Sequence, residues 1–311
     1  MATRKHPQSA AMRAWQMANR KRILALEAAI LALIVQAYQH AERQIAPAQA
    51  ALLAAYEDEL ARRTAEQRQV AEDDGGEDTD ELPPVFVPPA WYSDPHNHTA
   101  RHYEQTVLLA VAAFALASRL HISDGQSQLA AIGADTTRDT LRKELAPLAA
   151  VLGAGVLDRA LVSASRDALA ALVGMSASTG KSLAELLGSL GESAVAHLRK
   201  VWQAALASGM TGGPLRALLD NTLGMAYRRV HTILTTELMG AWRGGTGATL
   251  EANDKIVAGW IWRAMPDACD VCAAMDGTFH TADETLDSHP HCRCQQEPAT
   301  RPLSEIENAL T

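Results

Sequence analysis

Residues 23–38 read ILALEAAILALIVQAY. This stretch decides between a membrane-spanning fold and a packed helical one. It is apolar enough to pass for a bilayer segment or the core of an export signal. Glu27 and Gln36 interrupt it, however, and no small-residue cleavage site follows a short apolar core. A bilayer span needs about 20 mostly apolar residues. The stretch therefore reads as a buried or partner-facing helix, and the expected setting is a cytoplasm, without membrane contact. Upstream lie Arg4, Lys5, Arg13, Arg20, Lys21 and Arg22, with no acid before Glu27. That run reads as a solvated basic face, with non-specific contact to DNA or to an acidic partner surface as the alternative.

Working outward, the composition extends the helical reading to the whole chain. Hydrophobic residues make up 48% of 311, and aromatics only 5%. Ala and Leu dominate the apolar fraction, which favours helices over a sandwich or barrel rich in Val, Ile, Tyr and Phe. Lys plus Arg total 28 against 36 Asp plus Glu, a formal charge of −8, so a chain-wide nucleic-acid binder is excluded. The expected fold is mainly α: an elongated helical body carrying a small C-terminal α+β module stapled by zinc. Four segments are expected: a helical segment at 1–72, an acidic and Pro-rich linker at 73–100, a helical body at 101–253, and a Cys/His module with short strands at 254–311.

Within these segments, periodicity predicts helices at 9–45, 48–72, 101–121, 136–150 and 156–173. Residues 72–81, EDDGGEDTDE, carry seven acids and no base, and Pro83, Pro84, Pro88 and Pro89 follow. Ser182 with Glu185 forms a capping box that should start a helix running to about Ser208. Pro214 suits a first helical turn, and that helix should run to about Arg243, where GGTG at 244–247 would kink or end it. IVAGWIWRA predicts a strand at 256–263. Ser304 with Glu307 predicts a last short helix.

The cysteines carry the chemistry. All four lie between Cys269 and Cys294, whereas a disulfide scaffold would spread them through the fold. C-x2-C at Cys269 and Cys272 is followed by HPHCRC, residues 289–294. His289 and Cys292 repeat the x2 spacing after a sixteen-residue loop, 273–288. Zinc takes four thiolate or imidazole ligands in a tetrahedron, and the expected set is Cys269, Cys272, His289 and Cys292. Cys294 is the alternative to His289, and His291 a weaker substitute. A complete set leaves no position for water, so one structural zinc per chain is expected rather than a catalytic metal.

Other candidates read as structure. GMSASTGKS at 174–182 nearly spells a phosphate-binding loop, but the first Gly falls one residue early and no strand precedes it. Ser182 is better read as a helix cap. His96, His98 and His102 read as a solvated cluster at a helix start. Glu237, on a helix with Arg228, Arg229, Thr235 and Thr236, could act as an acid or base, but no nucleophile or second carboxylate is spaced to match it. A zinc hydrolase or nuclease, with Asp276, His280 or Asp287 as base, is the enzymatic alternative. A stand-alone nucleic-acid or protein-binding module is the other.

The order of elements in the C-terminal third is itself informative. RRVHTILTTELMGAW (228–242) precedes W-x-W-x4-D-x-C-x2-C-x3-D-G (260–277), and HPHCRC closes the series. This order resembles the phage Mu F-like minor head proteins, also called head morphogenesis proteins. The matching positions are Thr236-Glu237, Trp260 and Trp262, Cys269 and Cys272, Asp276-Gly277, and residues 289–294. ALASGMTGGPLRALLDN (205–221) resembles the family's lead-in to that helix. The resemblance covers about residues 195–297. It implies a structural protein, not an enzyme, that acts in capsid assembly, associates with phage portal and capsid proteins, and travels in the virion after assembly in the host cytoplasm. Some members carry a toxin or enzyme domain beyond this module. Only seventeen residues follow Cys294 here, so none is expected.

Overall fold

The structure is a computed structural model that describes residues 10–73, 84–85, 87–286 and 289–311. It is mainly helical. In chain order the elements are α1 (Ala10–Asp73), α2 (Pro89–Ser93), α3 (His98–Glu144), α4 (Ala146–Leu152), α5 (Ala154–Ala160), α6 (Arg166–Ala170), α7 (Leu183–Gly188), α8 (Leu190–Ala207), α9 (Gly212–Glu251), β1 (Val257–Arg263), α10 (Asp270–Met275), β2 (Phe279–Thr281), β3 (Gln295–Thr300) and α11 (Leu303–Leu310). The mainly α class with a small C-terminal α+β module is as the composition implied.

Some helices that the periodicity separates are continuous, and others that it runs together are divided. The two helices expected at 9–45 and 48–72 are one. Pro47 lies inside α1 on its exposed face, where the missing N–H frees a carbonyl toward solvent. The buried stripe runs straight past it through Ile45, Ala48, Leu52 and Tyr56. The 23–38 stretch shows the same periodicity: Ile23, Glu27, Ile30 and Ile34 are buried, while Ala25, Ala28, Ala29 and Ala32 are exposed. Two helices, α1 and α3, hold windows long and apolar enough to cross a membrane, with 22% and 39% of those windows buried.

The helix expected at 101–121 likewise continues through the polar stretch after it as far as Glu144, taking in the first part of the one expected at 136–150, whose remainder lies in α4 beyond a break at Leu145. The glycines that weaken this stretch as isolated helix are contact points. A Cβ on Gly133 would meet the Trp242 carbonyl oxygen at 2.4 Å, and one on Gly245 would meet that of Ala130 at 2.0 Å. These two positions let α3 and α9 approach backbone to backbone. That is also why GGTG at 244–247 does not end α9, which continues to Glu251.

The helix expected at 156–173 is instead two short ones, α5 and α6, joined by extended residues 161–165. The capping box at Ser182 forms: the Glu185 carboxylate accepts from the Ser182 N–H at 2.7 Å, and the Ser182 hydroxyl accepts from the Glu185 N–H at 3.1 Å. The run to Ser208 is interrupted at Ser189, between α7 and α8. At the C-terminus α11 forms, but without a side-chain cap. The acidic centre of the expected linker, 74–83, lies outside the described residues. Its C-terminal part holds α2 and the start of α3.

Two compact units emerge, each drawn from separated stretches that cut across the four consecutive segments. One gathers the described chain up to Leu33 with Arg119–Leu186 and His231–Thr311. The other gathers Ile34–Ser118 and Leu187–Val230. In the latter, Trp202 stacks on Tyr92 (centroids 5.3 Å, 16°) and takes the Tyr56 ring edge-on at 5.9 Å. These rings supply much of its buried aromatic surface.

The former holds the sheet, ordered β2-β1-β3 and antiparallel throughout. Trp260 pairs with His280 on one side and Pro298 on the other. Beneath it lies a core of Trp260, Trp262, Ile256, Val257, Leu250, Leu286 and Ile306, shared with Leu141, Leu145, Leu148, Leu157 and Leu161 of the α3–α5 region. The C-terminal module therefore has no separate core; it completes that of the preceding helices.

Glu144 ends α3 beside β3. Burial first, then the nearby Glu297 carboxylate, pushes its carboxyl up to about 7. Glu297 is itself paired with the buried Arg263. The folded chain thus holds the Glu144 proton more tightly than the unfolded chain. That stabilisation is present at low pH and is lost as pH rises through about 7. Because Glu144 is only half-buried, the loss is discounted to about 1–2 kcal/mol. Glu144→Gln should remove it. Urea unfolding at pH 5.5 and 8 should show the variant gaining on the wild type at the higher pH, and an equal gap at both values would contradict the assignment.

Candidate metal centre

The site is built on two tight backbone turns. Cys269 is the N-cap of α10, and Cys272 lies in its first turn, so the C-x2-C spacing becomes one turn of helix. Opposite it, residues 289–292 form a β-turn closed by the Cys292 N–H donating to the His289 carbonyl at 3.2 Å. Pro290 occupies the second position, where its fixed φ fits. His291 occupies the third with φ +64°, the left-handed conformation that favours glycine. The turn sets His289 and Cys292 side by side.

The donor atoms converge. Sγ of Cys269 and Cys272 lie 3.2 and 3.3 Å from His289 Nε2, and Sγ of Cys272 lies 3.7 Å from that of Cys292. A tetrahedron with bonds of about 2.0–2.3 Å has edges of roughly 3.3–3.8 Å, so these separations are close to those around a common ion. Cys269, Cys272 and His289 form one trio that could hold a metal, and Cys272, Cys292 and Cys294 another, each with ligand atoms within 4.8 Å. Cys272 belongs to both. Cys269 is exposed, whereas Cys272, Cys292 and Cys294 are buried, and all four are free thiols.

The surroundings favour metal ligation. His289 Nδ1 lies 2.8 Å from the Pro290 carbonyl; donating its proton there leaves Nε2 as the lone pair facing the sulfurs. The Cys294 thiol, followed by the Arg243 charge, draws the Cys292 thiol down to about 4 against the cost of burial. Burial pushes Cys272 up to about 11. Cys294 is held well above the ordinary thiol range, chiefly because it hydrogen-bonds to Cys292.

Helix α9 holds the second turn. Arg243 donates from Nη2 to the Cys292 carbonyl at 2.9 Å and from Nε to that of Cys294 at 3.1 Å. His291, a substitute ligand by its spacing, turns onto α9 instead. Its Nδ1 lies 2.6 Å from the Thr235 hydroxyl, its Nε2 lies 3.2 Å from that of Thr232, and its N–H donates to Thr236 at 3.3 Å. The rigid grip on three hydroxyls accounts for a bulky residue at a positive φ.

One residue further on, Glu237 is anchored rather than reactive. It is buried and accepts from the Ser176 hydroxyl at 2.7 Å, the Ala177 N–H at 3.0 Å and the Ser178 hydroxyl at 3.5 Å. Burial raises its carboxyl above the usual range, and these donors oppose the shift. The same contacts dispose of the phosphate-loop reading. In the 174–182 loop, the Gly174 N–H donates to Gln126, that of Ala177 to Glu237, that of Thr179 to the Ser176 hydroxyl and that of Gly180 to the Ser176 carbonyl. The donors a phosphate would need are spent, one of them on an internal carboxylate.

The bases considered for an enzyme are similarly committed where they are described. His280 stacks on Trp260 (4.2 Å, 12°), with its ring nitrogens 2.9 Å from Thr278 and 2.8 Å from Glu284. Asp276 accepts from the Ala264 N–H at 2.9 Å in the Asp-Gly turn, where Gly277 has φ +79°. Asp287 lies outside the described residues. His96, His98 and His102 surround the start of α3, which Asn97 caps through the Ala100 N–H at 3.0 Å, and no metal trio forms among them.

Comparison with family models, with curated proteins and with solved structures finds no match to this chain. Arg243 and Gln126 were missed in the sequence. Their contacts cross 48 to 51 residues, and no local pattern marks such partners.

Proposed function

We propose that this chain is a phage minor head protein: a structural component that joins the portal vertex during head assembly in the host cytoplasm and remains in the virion. One observation supports the reading above the others. The Thr-Glu element of α9 and the HPHCRC segment, two elements of the family resemblance that lie 55 residues apart in this chain, meet in one site, with His291 seated on Thr235 and Thr236 beside the anchored Glu237.

The proposed metal is zinc. Two thiolates from the C-x2-C turn, His289 and Cys292 supply the mixed sulfur and nitrogen set that zinc favours, with Cys294 as the alternative fourth ligand. Bound zinc would supply a closed cross-link between the two turns, contributing folding energy and no catalytic water. The large helical surface then serves portal and capsid contact. Arg20, in the basic segment, is already paired with Asp267 at 2.7 Å, which among the described residues of that segment leaves Arg13, Lys21 and Arg22 for any DNA contact.

Two measurements test this. Elemental analysis of the purified chain should find about one zinc per chain, and the chain should co-purify with the portal protein of the same genome. A zinc-free, fully folded chain would overturn the metal assignment. Failure to bind the portal would overturn the proposed role.

A further inference from the structure

The first turns of α1 reach both halves of the metal centre, at two points seven residues apart on one helix face. Arg20 donates to Asp267, two residues before Cys269, at 2.7 Å. Glu27 accepts from both terminal nitrogens of Arg293, the residue between Cys292 and Cys294, with one distance of 2.9 Å. Gln16 reaches the Ala264 carbonyl at 3.5 Å. The polarity alternates: α1 offers a cation to the C-x2-C half and an anion to the HPHCRC half.

Exposure ranks the two pairs. Asp267 is 61% exposed at its side chain, so its pair with Arg20 contributes little. The Glu27 and Arg293 side chains are 10% and 24% exposed, and their paired contacts form the stronger contact. Glu27 also explains the acid inside the apolar 23–38 run. It sits on the buried stripe, between Ile23 and Ile30, where an unpaired carboxylate would be costly. Its partner is in place only while the second turn holds Arg293 beside the ligand cysteines.

We propose that residues 13–33 of α1 are a metal-dependent clamp. They dock when the two cysteine turns are drawn together and loosen when the turns part, so metal binding and docking of the N-terminal helix form one coupled equilibrium. This rests on the metal reading above. Both halves must sit at the right separation to meet Arg20 and Glu27 at once; the pairing of Arg263 with Gln295 sets it coarsely, and a common ion would lock it. Coupling is reciprocal: whatever weakens docking must weaken metal binding by the same factor.

The test uses the full chain. Hydrogen exchange of residues 13–33 is compared with zinc bound and after chelation, and zinc affinity is measured by competition with a chromophoric chelator. Exchange should rise at least about tenfold on chelation, the range expected of a coupled site. Glu27→Gln should weaken zinc binding about tenfold, within the range for residues that orient metal ligands. Glu27→Arg combined with Arg293→Glu should restore much of the affinity that either change alone removes. If the wild type binds no metal, the metal reading falls and this proposal with it. If it binds zinc but residues 13–33 exchange identically with and without it, the clamp alone is overturned. A folded double swap that restores nothing would also overturn it.

Discussion

Cys272→Ser should abolish metal binding and melt the C-terminal module at a temperature where the wild type is fully folded. Cys272 is the one sulfur common to both ligand trios, so its loss leaves neither complete. It is also buried in the core beneath the sheet, so the lost cross-link is compounded by a polar hydroxyl in an apolar cluster. Apparent binding energies for structural zinc are on the order of 10 kcal/mol, comparable with the whole folding stability of a typical domain. The damage should spread further than a separate module would allow, because Leu141, Leu148 and Leu157 share that core. Hydrogen exchange should show residues 256–300 and the α4–α5 region losing protection, while α8 keeps its own. A chelator added to the wild type should reproduce the pattern. A variant that keeps one metal per chain and an unchanged melting curve would sink the assignment.

The contrast between what the sequence displayed and what it concealed follows from the range of each interaction. The candidate ligands that converge were legible because metal geometry imposes short, repeated spacings: Cys269 to Cys272 and His289 to Cys292 are each one turn apart. The strand at 257–263 was legible, as 256–263, from a short run rich in β-formers and tryptophans. The helix count was not. Pro47, Gly125 and Gly133 look like breaks when only local propensity is weighed. Tertiary contact overrides propensity here, since Gly133 is where the Trp242 carbonyl approaches and Pro47 lies on an exposed face. His291 shows the same limit in side-chain form. Its spacing suggested a ligand, but three hydroxyls on α9 compete for its ring and N–H, and the Pro-His turn directs it there. The clamp of Glu27 on Arg293 spans 266 residues, and only the oddity of a carboxylate in an apolar run pointed to it.

The other large effect expected is at Glu237. Its carboxylate is the internal anion around which the 174–182 loop is wound, and Gln126 grips the same loop from α3 through Gly174 and Met175, each at 2.8 Å. Glu237→Ala would strand the Ser176 hydroxyl and the Ala177 N–H without an acceptor, at a cost of about 2–4 kcal/mol. Glu237→Gln keeps the shape but turns an amide N–H₂ toward at least one donor, so it should cost less, about 1–2 kcal/mol. Neither change touches a metal ligand, so metal stoichiometry should hold in both. Unfolding curves should therefore rank wild type, Gln and Ala in that order, with loop 174–182 losing exchange protection in step. The ranking separates an anchoring carboxylate from a catalytic one. A reacting acid or base can be replaced by Gln with stability unchanged or improved, whereas an anchor cannot. Equal stability of Glu237→Gln and the wild type, with the loop still protected, would return Glu237 to the list of candidate catalytic groups and weaken the structural reading of the whole site.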